Sequence, residues 1–126
     1  MMVRTVDLGR QFQGRVWDWA LMCFGIGGAA DKVERNQRFL EEALELVQSC
    51  GASRAEAHQL VDYVFDRPAG DSAQEAGGVI VCLALLCEAQ NFDMNAAGEM
   101  ELSRIIGKID DIRAKQAKKK RFGEVM

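Results

Sequence analysis

The sequence predicts an all-α protein, and three observations carry that expectation. Apolar residues recur every three or four positions along most of the chain. Val, Ile and Thr are sparse beside Ala, Leu, Glu and Gln, which favours helices over strands. Pro68 is the single proline, and no segment alternates apolar and polar residues as a half-buried strand would. The 126 residues are 48% hydrophobic and 28% charged, the size and balance of one globular domain with a core of its own.

Five helices follow from spacing and caps. In the first, over about residues 7–24, Phe12, Val16, Trp19, Ala20 and Cys23 share one face. Trp17, Leu21 and Phe24 form a second apolar stripe, so the helix is expected to be covered on both sides, by its own domain or by another subunit. "GIGGAA" then breaks the chain. Asp31 caps a second helix with Glu34 placed for a capping-box contact, and Gly51 ends it. Ser53 and Glu56 open a third helix, "SRAEAHQLVDYVF". Ser72 and Glu75 open a fourth, in which Ser72 is the expected N-cap and Glu75 the N3 residue. Asp93 or Asn95 begins one long final helix that reaches into the tail. Short connections suit an antiparallel bundle, a four-helix core plus the N-terminal helix.

Charge is unevenly spread. The net charge is -3, yet six of the sixteen Lys and Arg residues lie from Arg113 onward, in "RAKQAKKKRFGEVM". A solvated helix end suits those cations. Nucleic-acid binding is the sharper reading of the basic tail, but the acidic body argues against it. The four cysteines lack C-x-x-C spacing and His58 is the single histidine, which disfavours zinc. Cys82 and Cys87, inside an apolar run, read as buried reduced thiols. The N-terminus has no apolar core of a signal peptide, and no stretch reads as long and apolar enough to span a bilayer. A cytoplasmic protein is expected.

Chemistry is concentrated in the acidic residues. Glu41, Glu42 and Glu45 crowd one stretch of the second helix, where like charges repel by a few tenths of a kcal/mol. Leu40, Ala43, Leu44 and Val47 mark the core face, leaving Glu34, Arg38, Glu41 and Glu45 on a stripe away from it. Glu34–Arg38 and Arg38–Glu42 are i,i+4 pairs that read as a wet surface. Gly77 and Gly78 follow Glu75 in the first turns of an apolar helix, each costing roughly 0.8–1 kcal/mol against alanine. Two together suggest close approach by a neighbouring helix or a ligand.

"ERNQRFLEEALELVQSCG", followed by "QEAGGVIVCLALLCEAQNFDMN", resembles the MazG-like all-α nucleoside triphosphate pyrophosphohydrolases. The resemblance runs over about residues 31–115. The family's Glu-Glu-x-x-Glu cluster is matched by Glu41, Glu42 and Glu45; its Glu-x-x-Asp is matched at Glu75, with Gly78 where the aspartate falls. The resemblance implies a homodimer or homotetramer that cleaves (d)NTPs to the monophosphate and pyrophosphate, a housekeeping activity on nucleotide pools. By position it implies Glu42, Glu45 and Glu75 as Mg²⁺ ligands, with Mn²⁺ as a substitute, and Glu41 as a further ligand or the base that orients water. Carboxylate oxygens suit Mg²⁺, which usually retains several waters. Glu99 and Glu101 are candidate substitutes for the missing aspartate, and Arg38, Arg104 and Lys108 are candidate phosphate contacts. For each of these a surface charge is the rival reading. The rival for the whole chain is a helical nucleotide-binding or protein-interaction module that kept the bundle and lost catalysis.

Overall fold

A computed structural model describes residues 5–119 and 122–123. Among them lie six α-helices and no strand: α1 (Phe12–Ala29), α2 (Lys32–Ser49), α3 (Arg54–Phe65), α4 (Ser72–Ala89), α5 (Met94–Ile106) and α6 (Ile109–Lys118). The all-α class is as the sequence predicts.

Local chemistry explains the boundaries. α1 starts later than expected, because Asp7 holds the preceding segment in a turn: its side chain accepts from Gly9 N at 2.9 Å and its carbonyl from Arg10 N at 3.1 Å. Gly25 breaks α1 at φ 67°, within the expected glycine-rich segment, after which helical turns resume to Ala29. The Asp31 side chain caps α2 by accepting from Glu34 N at 3.1 Å. Gly51, at φ 97°, ends α2 in a Schellman arrangement, with Gly51 N donating to Gln48 O and Ala52 N to Val47 O. Ser53 and Glu56 form the full capping box of α3.

Two helix boundaries correct the sequence reading. The N-cap of α4 is Asp71, whose side chain accepts from Gln74 N at 2.9 Å, so Glu75 sits one position beyond N3. An acidic residue outcompetes the serine beside it for the capping position. The long final helix is two: α5, capped by Asp93, ends at Ile106, and α6 begins after Gly107 and Lys108. Lys108, at φ -130° and ψ 29°, is outside both helices, and a glycine within a helical run is the weak point at which such a break is least costly.

The chain divides into two compact units, with boundaries inside α2 and α5. The first comprises residues up to Leu40 and from Gly98 onward. Its core gathers Ala20, Leu21 and Ala29, with Trp19 and Phe24 packed on it. Trp19 and Phe24 meet edge to face at 5.7 Å, and Trp19 Nε1 donates to Ile105 O at 3.3 Å. α6 packs along α1, where Arg113 donates to the carbonyls of Met22 and Cys23. Those carbonyls precede the Gly25 break and lack their usual helical partners, so the guanidinium satisfies them. Leu21 is buried and Phe24 half-buried, so the second stripe of α1 is covered within its own unit; Trp17 stays largely exposed.

Glu34 departs most from expectation. It is 5% exposed rather than wet, and its carboxylate meets Arg38 Nε at 3.1 Å and Gln116 Nε2 at 2.8 Å. Arg35, next in sequence, lays its guanidinium 4.9 Å from the centre of the Phe24 ring. Asp18 is likewise buried, paired with Arg10 at 2.8 Å and accepting from Asp7 N. Buried carboxylates are stable only with such partners.

The second unit, Glu41–Ala97, is different in kind. Cys87 is its one buried residue among those described. The apolar positions of α3 and α4 are mostly exposed, including Phe65 at 82% and Leu85 at 65%. Cys82 is exposed too, against the expectation of a buried thiol; Cys23, Cys50, Cys82 and Cys87 are all free. Contrary to the expectation that no stretch is long and apolar enough to span a bilayer, α4 passes that test by length and composition.

Two outcomes are expected in urea unfolding of the full chain. Glu34→Ala, which removes the buried carboxylate shared by Arg38 and Gln116, lowers stability by roughly 1.5–3 kcal/mol. Gly51→Ala lowers it by about 1 kcal/mol, because a side chain is placed in left-handed backbone. No loss in either variant contradicts the role given to that residue.

Candidate functional site

The four carboxylates assigned to the ion from sequence fall within the second unit. Glu41, Glu42 and Glu45 occupy barely more than one turn of α2, and Glu75 lies in the first turn of α4. Glu42, Glu45 and Glu75 are exposed and Glu41 is half-buried. Helical geometry sets Glu41 and Glu45 one above the other, while Glu42 turns about 100° aside. Glu75 lies back over the loop before its own helix: a Cβ built on Gly70 would stand 3.1 Å from Glu75 Oε2. A Cβ at Gly77 or Gly78 would meet nothing within 4 Å, so no described residue makes the close approach that the glycine pair suggests.

Carboxylate oxygens are the donor type Mg²⁺ prefers. Within one chain, however, no three His, Cys, Asp or Glu side chains among the described residues converge as a metal-holding group. Glu41, Glu42, Glu45 and Glu75 therefore do not close a donor set in a single chain. The residues fit the ion in kind, but a single chain does not bring them together.

The remaining candidates belong to the first unit, where Arg38, Arg104, Glu99 and Glu101 are paired. Arg38 pairs with buried Glu34. Arg104 grips Glu101 through two contacts, at 2.8 and 2.6 Å, and does not form a helical pair with Lys108, which lies beyond the end of α5. Glu99 takes both arms of Arg15 at 2.6 and 2.8 Å. Neither Glu99 nor Glu101 is thus an idle substitute for an aspartate at position 78. These pairs leave an electrostatic signature. Hydrogen bonding from Arg15 holds the Glu99 carboxyl below its ordinary range, and Arg104 does the same for Glu101. Burial pushes the Cys23 thiol up, partly offset by the positive charge of Arg113.

Sequence reasoning missed the contacts that join distant residues. Arg15 and Glu99 are 84 positions apart and Glu34 and Gln116 are 82 apart, beyond any local spacing rule. Only the burial cost of an unpaired charge hints that such partners must exist. Comparison of the chain with protein-family models, curated proteins and solved structures finds no match.

The capping box of α3 yields a test in the same unit as the acidic helices. Backbone and side-chain hydrogen bonds from Ser53 hold the Glu56 carboxyl below its ordinary value. Its contribution to folding is in place above the unfolded value of about 4.3 and fades as pH falls through the lowered folded value. Carboxyl NMR titration of the unaltered chain is expected to place the Glu56 midpoint below about 4.3, and Ser53→Ala, which keeps the backbone donor, to raise it only in part; a midpoint at or above 4.3 in the unaltered chain contradicts the capping account.

Proposed function

We propose that the protein is a Mg²⁺-dependent nucleotide pyrophosphohydrolase that cleaves (d)NTPs to the monophosphate and pyrophosphate. The observation that carries this reading is the occurrence of both acidic segments, Glu41–Glu42–Glu45 and Glu75, in exposed first and middle turns of helices belonging to one unit. The resemblance of those two segments to the MazG-like enzymes supplies the reaction. Water adds to a phosphorus of the triphosphate chain, the bridging P–O bond breaks, and the monophosphate and pyrophosphate leave carrying the elements of that water. In this reading Glu42, Glu45 and Glu75 hold the ion and Glu41 is a further ligand or orients the water, while the helices pack as an antiparallel bundle in the working assembly. Removal of unwanted nucleotides in the cytoplasm is the physiological role that fits.

A second reading has its own support. The carboxylates do not close a donor set in a single chain, and Gly78 supplies no carboxylate at all. A helical nucleotide-binding or protein-interaction module without turnover accounts for both facts. Nucleotide binding measured beside product release separates the two.

The deciding assay is pyrophosphate release from a panel of NTPs and dNTPs with Mg²⁺ present. Release is expected, with a loss of about a hundredfold or more in Glu42→Gln and in Glu75→Gln. Arg104→Ala, which breaks the exposed pair with Glu101, is expected to change the rate by less than about threefold. No release from any substrate removes the enzymatic reading, and activity retained in both glutamine variants removes the site.

A further inference from the structure

Charge in this chain follows the division of the fold. The second unit, Glu41–Ala97, holds ten of the nineteen Asp and Glu residues and two of the sixteen Lys and Arg residues. The first unit is left with fourteen cations against nine acids. The acids that weigh against nucleic acid in the sequence as a whole thus belong mostly to one unit, and the cations to the other. Four acids of the first unit, Asp18, Glu34, Glu99 and Glu101, are moreover each paired with an arginine. Its lysines are not so engaged. Lys115 and Lys118 are exposed in the last turns of α6, and neither has an ion-pair partner among the described residues.

α6 presents these lysines on its free side. Its other side carries half-buried Ile112 and Gln116, with Arg113 bonded to α1 and Gln116 to Glu34 of α2. At about 100° per residue, Lys115 and Lys118 project away from that side. Lys119 follows at the C-cap and is exposed. The chain beyond it is held. Gln37 Nε2 donates to Phe122 O at 2.5 Å and Phe122 N donates to Gln37 Oε1 at 3.0 Å, so one carboxamide fixes the backbone of Phe122. The Phe122 ring stays 56% exposed, three residues after Lys119.

We propose that Lys115, Lys118, Lys119 and Phe122 form a binding surface for single-stranded nucleic acid, the lysines on its phosphates and the ring against a base. Cations beside an exposed aromatic are the means by which single strands are bound without sequence preference. The bonds of Gln37 to Phe122 lower the ordering cost of binding, because the backbone bearing the ring is already held. Charges more than about 8 Å away are largely screened at physiological ionic strength, so the local lysines count for more than the net charge of the chain. A membrane surface fits less well: an interfacial helix needs a free apolar face, and α6 packs along α1. An acidic protein would use the lysines and leave the ring idle. This surface stands independently of any pyrophosphohydrolase activity.

Fluorescence anisotropy of a labelled single-stranded oligodeoxynucleotide with the full chain tests it, with EDTA present so that no divalent ion bridges the strand to the acidic helices. Binding is expected, weakening about twentyfold between 50 and 200 mM KCl, the salt dependence of three neutralised phosphates on a single strand. Lys115→Ala and Lys118→Ala each lower the slope of log K against log salt by about 0.7. Phe122→Ala keeps the backbone bonds to Gln37 and weakens binding at least about fivefold with the slope unchanged. No binding at about 50 mM KCl overturns the proposal, as does binding that none of the three variants alters. Equal competition by polyglutamate overturns it in favour of an acidic protein, and tighter binding of the corresponding duplex overturns the choice of a single strand. Co-flotation with phosphatidylserine vesicles in place of oligonucleotide binding, lost in Lys115→Ala and Lys118→Ala, overturns it in favour of a membrane.

Discussion

The need to cover helix α4 governs the rest of the structure. Apolar surface left in water destabilises a fold by about 25 cal/mol per Å², and α4 leaves Val79, Ile80, Val81 and Leu85 exposed. Its own unit buries only Cys87 among the described residues. The acidic segments on α2 and α4 inherit their surroundings from whatever covers that helix. A donor set open in one chain is therefore a statement about one chain, and the ends of α4, where Glu75 lies, border the surface in question.

The first unit meets its needs internally. Leu21, Ala20, Ala29 and Leu102 are buried, Trp19 and Phe24 close over the core, and Arg113 satisfies the carbonyls that Gly25 exposes by breaking α1. Its charges are spent on structure: Glu34 with Arg38 and Gln116, Arg15 with Glu99, Arg10 with Asp18. Pairing of that kind leaves these residues poor candidates for binding phosphate or metal. The carboxylates of Glu42, Glu45 and Glu75 lie exposed in the second unit.

Helix type and most boundaries were legible because local rules set them. Ser53 with Glu56, Gly51 and Asp31 each act through residues within four positions of themselves. Where two local candidates competed, the outcome was not legible: Asp71 prevailed over Ser72, and Gly107 split a run that periodicity alone would continue. Glu34 was misjudged because its burial depends on Gln116, 82 positions away. The stripe on α1 called for cover by its own domain or another subunit, and Leu21 is buried within its own unit, while exposed apolar residues lie on α3 and α4. As for the site, the acidic residues could be named from sequence, whereas whether they converge is a property of tertiary and quaternary packing that spacing does not encode.

The central claim is that the acidic helices of the second unit hold a divalent ion. Electron paramagnetic resonance of Mn²⁺ added to the full-length protein measures this directly, since the free ion's signal falls as it binds. The account predicts a saturable loss of free signal that Mg²⁺ competes away and that Glu42→Gln and Glu75→Gln each weaken by at least about tenfold. A free-ion signal unchanged by the protein, or lost equally in both variants, would contradict it.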